Sequence, residues 1–256
     1  MGASKSLVYF GYLGDEATAD EIVGPRLDFM ADQLRWLSAL IDQLAEPVER
    51  LVAYVAPRSW DDRVHAAIAH HRFAVDPASI RSERRNSFEY AGFRAMKAQA
   101  AERPPDDLIY YCHSKGITQL SSSKMGLFRL HSEVGLTADL AALTGDADLT
   151  RAGLFPSKWG WCWNNFFWVK AGYMARLAVE ESPDRYHYES LIGDPGDKEG
   201  YRRVLPLIDR LPFDATGIAA QPWYRPQELN SSILLETCYR YAAMAAPDPA
   251  ARAARD

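Results

Sequence analysis

His113, Ser114, Lys115 and Gly116 stand together at the end of an apolar run, Leu108 to Cys112. A lysine ammonium is a compact charge suited to phosphate oxygens. A glycine beside it lets the backbone come close to a ligand, and Ser114 and His113 add donors or acceptors. The four residues form a candidate diphosphate site; taken alone, a strand-end turn with a solvated lysine explains them better. A second stretch, ERRNSFEYAGFRAMK (83–97), sets Asn86 and Glu89 three apart, on one face of a helix. The same spacing makes Asn86 an N-cap with Glu89 at the third helical position, a capping-box variant with no functional content.

A third stretch carries Trp159, Trp161, Trp163, Phe166, Phe167 and Trp168 around Asn164 and Asn165. Aromatic faces with interposed amides suit sugar rings, whose apolar C–H faces are edged by hydroxyls; about half of these rings are expected in the core instead. In DRYHYESLIGD (184–194), Glu189 is flanked by Tyr186 and Tyr188 and preceded by Arg185. It is a general base if partly desolvated and an ordinary exposed carboxylate otherwise. Two acidic pairs are set aside as metal sites. Asp146-Ala147-Asp148 follows Thr144-Gly145 and reads as a turn, and Asp194 to Asp197 lies in a Pro-Gly turn.

These residues need elements to hold them. LVYFGYL (7–13) reads as a buried strand, and Leu27, Met30, Leu34, Leu37, Ile41 and Leu44 form one face of a long helix. LVAYVA (51–56) is a second strand ending at Pro57, and Ser59 is placed to cap a helix through Trp60 to His71. A short strand from Arg72 to Val75, a helix around 82–102 and the strand Leu108 to Cys112 continue the alternation. That pattern predicts an α/β fold with a mostly parallel sheet and helices on both faces. Ligands in such sheets bind beyond the carboxyl ends of the strands, which is where His113 to Gly116 stand.

Downstream, a helix from Ser122 to Leu143 and a strand from Asp148 to Phe155 are expected. Loops with short helices follow over 183–230, then a terminal helix from Leu229 to Ala243 and a fraying tail over 246–256. The absence of an internal repeat or linker favours one domain, 1–256.

The chain has 256 residues, 48% of them hydrophobic and 25% charged, a composition ordinary for a globular protein. A net charge of -5 argues against a nucleic-acid partner, so any basic site must be local. Cys112, Cys162 and Cys238 form no C-x-x-C pair, which indicates neither a zinc cluster nor a disulfide framework. No apolar stretch approaches the ~20 residues that span a bilayer, and no secretion signal is evident, so a cytoplasmic location is expected. Met1-Gly2 with Ser6 fits a short myristoylation pattern and is read as coincidence. Neither a G-x-G-x-x-G nor a Walker loop follows any expected strand.

Taken in order, N-S-F-E-Y-A-G (86–92), D-L-I-Y-Y-C-H-S-K-G-I (107–117), W-N-N-F-F-W-V-K-A-G-Y (163–173) and D-R-Y-H-Y-E (184–189) resemble a group of mostly bacterial, little-characterised glycosyltransferase-like proteins. The resemblance implies a single Rossmann-like domain of the GT-A type. It divides the chain into a nucleotide-binding half, 1–120, and an acceptor half, 121–245. It further implies a nucleotide-sugar donor and a glycan or glycoconjugate acceptor. In better-known relatives the strand matching Leu108–Cys112 ends in a D-x-D that holds a divalent metal. His113-Ser114-Lys115 occupies that place here, and a lysine can neutralise a leaving diphosphate without an ion; whether Mn²⁺ or Mg²⁺ accompanies the donor stays open.

On this resemblance Lys115, His113 and Glu189 are the catalytic residues, with Glu189 taking the acceptor's proton. Tyr12, Asn86, Glu89, Ser114 and Gly116 hold the donor, and Trp163, Asn164, Asn165 and Tyr188 the acceptor. A transferase-like module that binds sugars without catalysis, another phosphate-dependent enzyme and a Trp-rich interaction protein are the competing readings.

Overall fold

A computed structural model describes residues 3–76, 87–154, 156–157, 159–184, 186–193 and 200–207, apart from the side chains of Ser122, Ser123, Trp163 and Glu189. Seven strands, β1 (Lys5–Tyr12), β2 (Val48–Val55), β3 (Ala74–Val75), β4 (Leu108–His113), β5 (Arg151–Gly153), β6 (Phe167–Lys170) and β7 (Val204–Pro206), form one sheet in the order β3-β2-β1-β4-β6-β5-β7. β1 pairs in parallel with β2 and with β4, and β2 with β3. β6 is antiparallel to both β4 and β5, while β5 and β7 are parallel. This is the mostly parallel α/β sheet that the alternation predicts.

The central strands are buried on both faces, which is why they read as continuous apolar runs and not as alternating ones. Leu7, Tyr9, Leu108, Tyr110 and Cys112 enter one core; Val8, Phe10, Ile109 and Tyr111 enter the other. Among the helices, α1 (Asp20–Ile41), α2 (Asp61–His70) and α4 (Ser122–Leu136) contribute to the first core, and α3 (Tyr90–Ala101) and α6 (Ala171–Arg176) to the second. The short helices α5 (Ala141–Gly145) and α7 (His187–Leu191) are the others among the described residues. The apolar face foreseen on α1 is present: Leu27, Met30, Leu34, Leu37 and Ile41 are all buried.

Several boundaries differ from expectation. The expected helix from Ser122 to Leu143 ends at Leu136 and resumes as α5. Ser59 lies inside a 3-10 turn, Arg58–Trp60, so Trp60 and not Ser59 precedes α2. The expected strand from Asp148 to Phe155 is only the three residues of β5. The terminal helix Leu229 to Ala243 and the tail fall outside the described residues. No helix among the described residues is long and apolar enough to cross a membrane.

Candidate functional site

The chain leaves β1 toward β2 on one side, while β4 lies on the other. The carboxyl ends of β1 and β4 therefore flank a topological switch point, the place where open α/β sheets bind ligands. A cleft of about 360 Å³ opens there, lined by Phe10 and Tyr12, by His113, Ser114, Lys115 and Gly116, by Phe88 and Glu89, and by Lys124 from the first turn of α4.

Its floor is tied down by the polar groups of the loop itself. Ser114 N donates to the Phe10 carbonyl at 2.7 Å, and Ser114 Oγ accepts from Tyr12 N at 3.1 Å, so Ser114 joins the two strand ends. The Lys115 carbonyl accepts from Gln33 Nε2 at 3.1 Å, and Gln33 Oε1 accepts from Tyr9 Oη at 2.7 Å. This buried relay runs from β1 through α1 and fixes the loop that presents Lys115. Gly116 has φ 80, and a Cβ there would stand 2.2 Å from Lys124 Cβ. Glycine is thus required both for the left-handed backbone and for the close passage of Lys124. Tyr12 is half-buried, with the Arg26 guanidinium 5.7 Å from its ring centroid.

Glu89 forms the opposite wall. The capping-box alternative does not hold for it: α3 begins at Tyr90, and Glu89, at the N-cap position, makes no capping bond. Its carboxyl turns inward, where Oε2 accepts from Tyr111 Oη at 2.9 Å and from Asn165 Nδ2 at 3.0 Å. Gly92 makes room for this contact, since a Cβ there would lie 2.7 Å from Tyr111 Oη. Glu89 Oε1 stands 4.0 Å from His113 Nδ1. Burial pushes the Glu89 carboxyl up to about 7, against the opposing pull of the Tyr111 and Asn165 hydrogen bonds and the Lys115 charge.

His113 Nε2 lies 3.0 Å from the Asn164 carbonyl. A carbonyl only accepts, so Nε2 carries the hydrogen and Nδ1 keeps its lone pair. Burial, reinforced by Lys115, holds His113 down to about 3. It is therefore neutral at pH 7. Behind it, Asn164 Nδ2 is 3.3 Å from His131 Nε2, and burial followed by the Lys115 charge likewise lowers His131 to about 3. Phe88 (φ 52), Asn164 (φ 66) and Asn165 (φ 52) all adopt left-handed backbone around this wall. Non-glycine residues in that region cluster where a site holds them there.

Asn86 lies outside the described residues. Glu189 and Trp163 have described backbones only, in α7 and in a 3-10 turn, Trp163–Asn165, against which α7 packs. Asn164 and Asn165 are buried behind His113 and Glu89 and support them, a correction to their acceptor-contact role. Tyr188 is also corrected: it is fully buried against Phe93, and its hydroxyl accepts from Ser182 N at 2.9 Å and donates to the Glu180 carbonyl at 3.2 Å.

Of the aromatic cluster, Phe166, Phe167 and Trp168 are core, while Trp159 and Trp161 are half-buried. Asp146 forms the turn read from the sequence, its Oδ1 accepting from Asp148 N at 2.8 Å. The Asp194 to Asp197 turn is outside the described residues.

Tyr111, Lys124, Gln33 and His131 belong to the site and were not foreseen. Only Gln33 left a visible signal, as a polar residue on the apolar stripe of α1. Among the described residues no group of three or more His, Cys, Asp or Glu is arranged to hold a metal ion, and Glu89 is the one carboxylate lining the cleft. The described residues that line the cleft thus do not by themselves compose a metal site. Comparison of the chain with family models, with curated proteins and with solved structures gives no match.

Proposed function

We propose that the protein is a glycosyltransferase that moves a sugar from a nucleotide-diphosphate donor to a hydroxyl of a glycan or glycoconjugate. The observation that carries this reading is the meeting of Lys115, Gly116 and Lys124 in one cleft at the switch point of the sheet. Breaking a sugar–diphosphate bond places negative charge on the leaving phosphate and oxocarbenium-like charge on the sugar. In this reading Lys115 stabilises the first, and the Gln33 and Tyr9 relay, which holds the Lys115 backbone carbonyl, supports it by fixing the loop. Ser114 shapes the strand ends beneath it, and Tyr12 offers a ring face at the rim for a base or sugar.

A module that binds a nucleotide sugar without turning it over has one point in its favour: the place of the metal-binding D-x-D is taken by His113-Ser114-Lys115. A buried carboxyl with a raised pKa beside a lysine favours catalysis over simple binding. The test is release of nucleoside diphosphate from a panel of UDP-, GDP- and dTDP-activated sugars with simple glycosides as acceptors. Turnover that falls by about two orders of magnitude or more in Lys115→Ala, with the protein still folded, is expected. Binding without turnover in the wild type supports the module; wild-type activity fully retained in Lys115→Ala rejects the assignment.

A further inference from the structure

Transfer to a hydroxyl needs a group that takes the acceptor's proton. By order along the chain that group is Glu189; among the described side chains the carboxyl that lines the cleft is Glu89. We infer that Glu89 is the proton-transferring residue of this site, with Tyr111 and Asn165 as its positioning residues; the inference rests on the glycosyl-transfer reading above.

The two oxygens of Glu89 have different tasks. Oε2 is held by the Tyr111 hydroxyl and the Asn165 amide, which fixes the carboxyl plane. Oε1 is left toward the cleft and His113, and the side chain keeps 16% exposure, enough for a ligand to reach it. Because His113 spends its Nε2 hydrogen on the Asn164 carbonyl, its Nδ1 lone pair faces Oε1. At 4.0 Å the two atoms are not hydrogen-bonded, and a lone pair there adds no pull toward the carboxylate form.

The wall behind this arrangement is built at a cost. Asn165 is fully buried, its Oδ1 finds no hydrogen-bond partner among the described residues, and both Asn164 and Asn165 sit in left-handed backbone. An unsatisfied buried carbonyl is unfavourable, and packing alone would not select it. Among the described residues, Tyr111 on β4 and Asn165 in the turn donate to Glu89 and, with the Lys115 charge from the loop, favour its carboxylate, while neutral His113 stands 4.0 Å away and Lys124 lines the same cleft. Burial outweighs them and places the carboxyl at about 7, so both protonation forms are present at neutral pH.

The step balances without a further reactant. The acceptor O–H breaks and its proton passes to Glu89 Oε1, while the oxygen's electron pair bonds to the anomeric carbon. The bond from that carbon to the diphosphate breaks, and its pair remains on the diphosphate oxygen beside Lys115.

The test is calorimetric titration of the intact protein with UDP and with GDP at pH 7, in two buffers of different ionisation enthalpy, which together give the protons taken up on binding. A bound anion offsets the charge of Lys115 that favours the carboxylate, so wild type takes up a fraction of a proton. Glu89→Gln binds without that uptake, the ligand's own ionisation cancelling in the difference. In Tyr111→Phe the pH of greatest uptake moves upward, because a hydrogen bond favouring the carboxylate is lost; a merely structural tyrosine would change affinity and leave that pH in place. Equal uptake in wild type and Glu89→Gln, or uptake lost in Glu189→Gln and kept in Glu89→Gln, overturns the inference and leaves the donor site standing. No binding of either nucleotide to the wild type overturns both.

Discussion

At the residue scale, Glu89 shows how one carboxyl is re-purposed by its surroundings. Its place before α3 would ordinarily make it a cap, yet the side chain turns to Tyr111 and Asn165 and leaves the helix end uncapped. The consequence is a measurable pH dependence. The ordinary Glu89 pKa is 4.5 and the folded one about 7. Between these values the folded state binds more protons than the unfolded one, so this group's contribution to stability falls as pH rises through that window. The full change is on the order of 3 kcal/mol. Glu89→Gln removes it, so the Tm of the variant is expected to rise relative to wild type between pH 4.5 and pH 8. His113 and His131 act with the opposite sign, their stabilisation being lost as pH falls from 6.5 toward 3; both are present in the two proteins and cancel in the comparison. A Tm difference that stays constant over this range would contradict the burial ascribed to Glu89.

At the scale of elements, the loop after β4 is held in place by α1. Gln33 is fully buried on an otherwise apolar stripe, and its amide links Tyr9 to the Lys115 carbonyl. Gln33→Leu removes both hydrogen bonds and leaves the Tyr9 hydroxyl and the Lys115 carbonyl without them. A loss of about 1–3 kcal/mol in denaturant unfolding is expected, accompanied by weaker nucleotide binding; weakened stability with unchanged affinity would show that the relay does not position Lys115.

The β-α alternation up to β4 was legible because long apolar runs and the helical stripe of α1 carry strong periodicity. β6 was not, since FWVK is four buried residues inside an aromatic run with no alternation to mark it. The turn Trp163–Asn165 depends on left-handed asparagines that no spacing announces. The contacts of Glu89 join residues 22 and 76 positions apart. Chemistry assembled across such separations is invisible until the sheet order is known, whereas HSKG, local to one strand end, could be read directly.

At the scale of the whole molecule, a chain of net charge -5 gathers Lys115 and Lys124 into a cleft whose one lining carboxylate among the described residues has a raised pKa. The local field therefore favours an anion although the global one does not. Two apolar cores on the faces of one sheet make the strand ends a rigid frame for that cleft. The central claim is that a nucleotide diphosphate binds there through Lys115. It is tested most directly by thermal unfolding with a panel of nucleoside diphosphates and nucleotide sugars, with and without Mn²⁺, for wild type and Lys115→Ala. A ligand at 100 times its Kd adds about 2.7 kcal/mol to the native state. A raised Tm is expected for at least one nucleotide, indifferent to Mn²⁺ and abolished in Lys115→Ala; no shift with any nucleotide, or an equal shift in the variant, would rule out binding through Lys115.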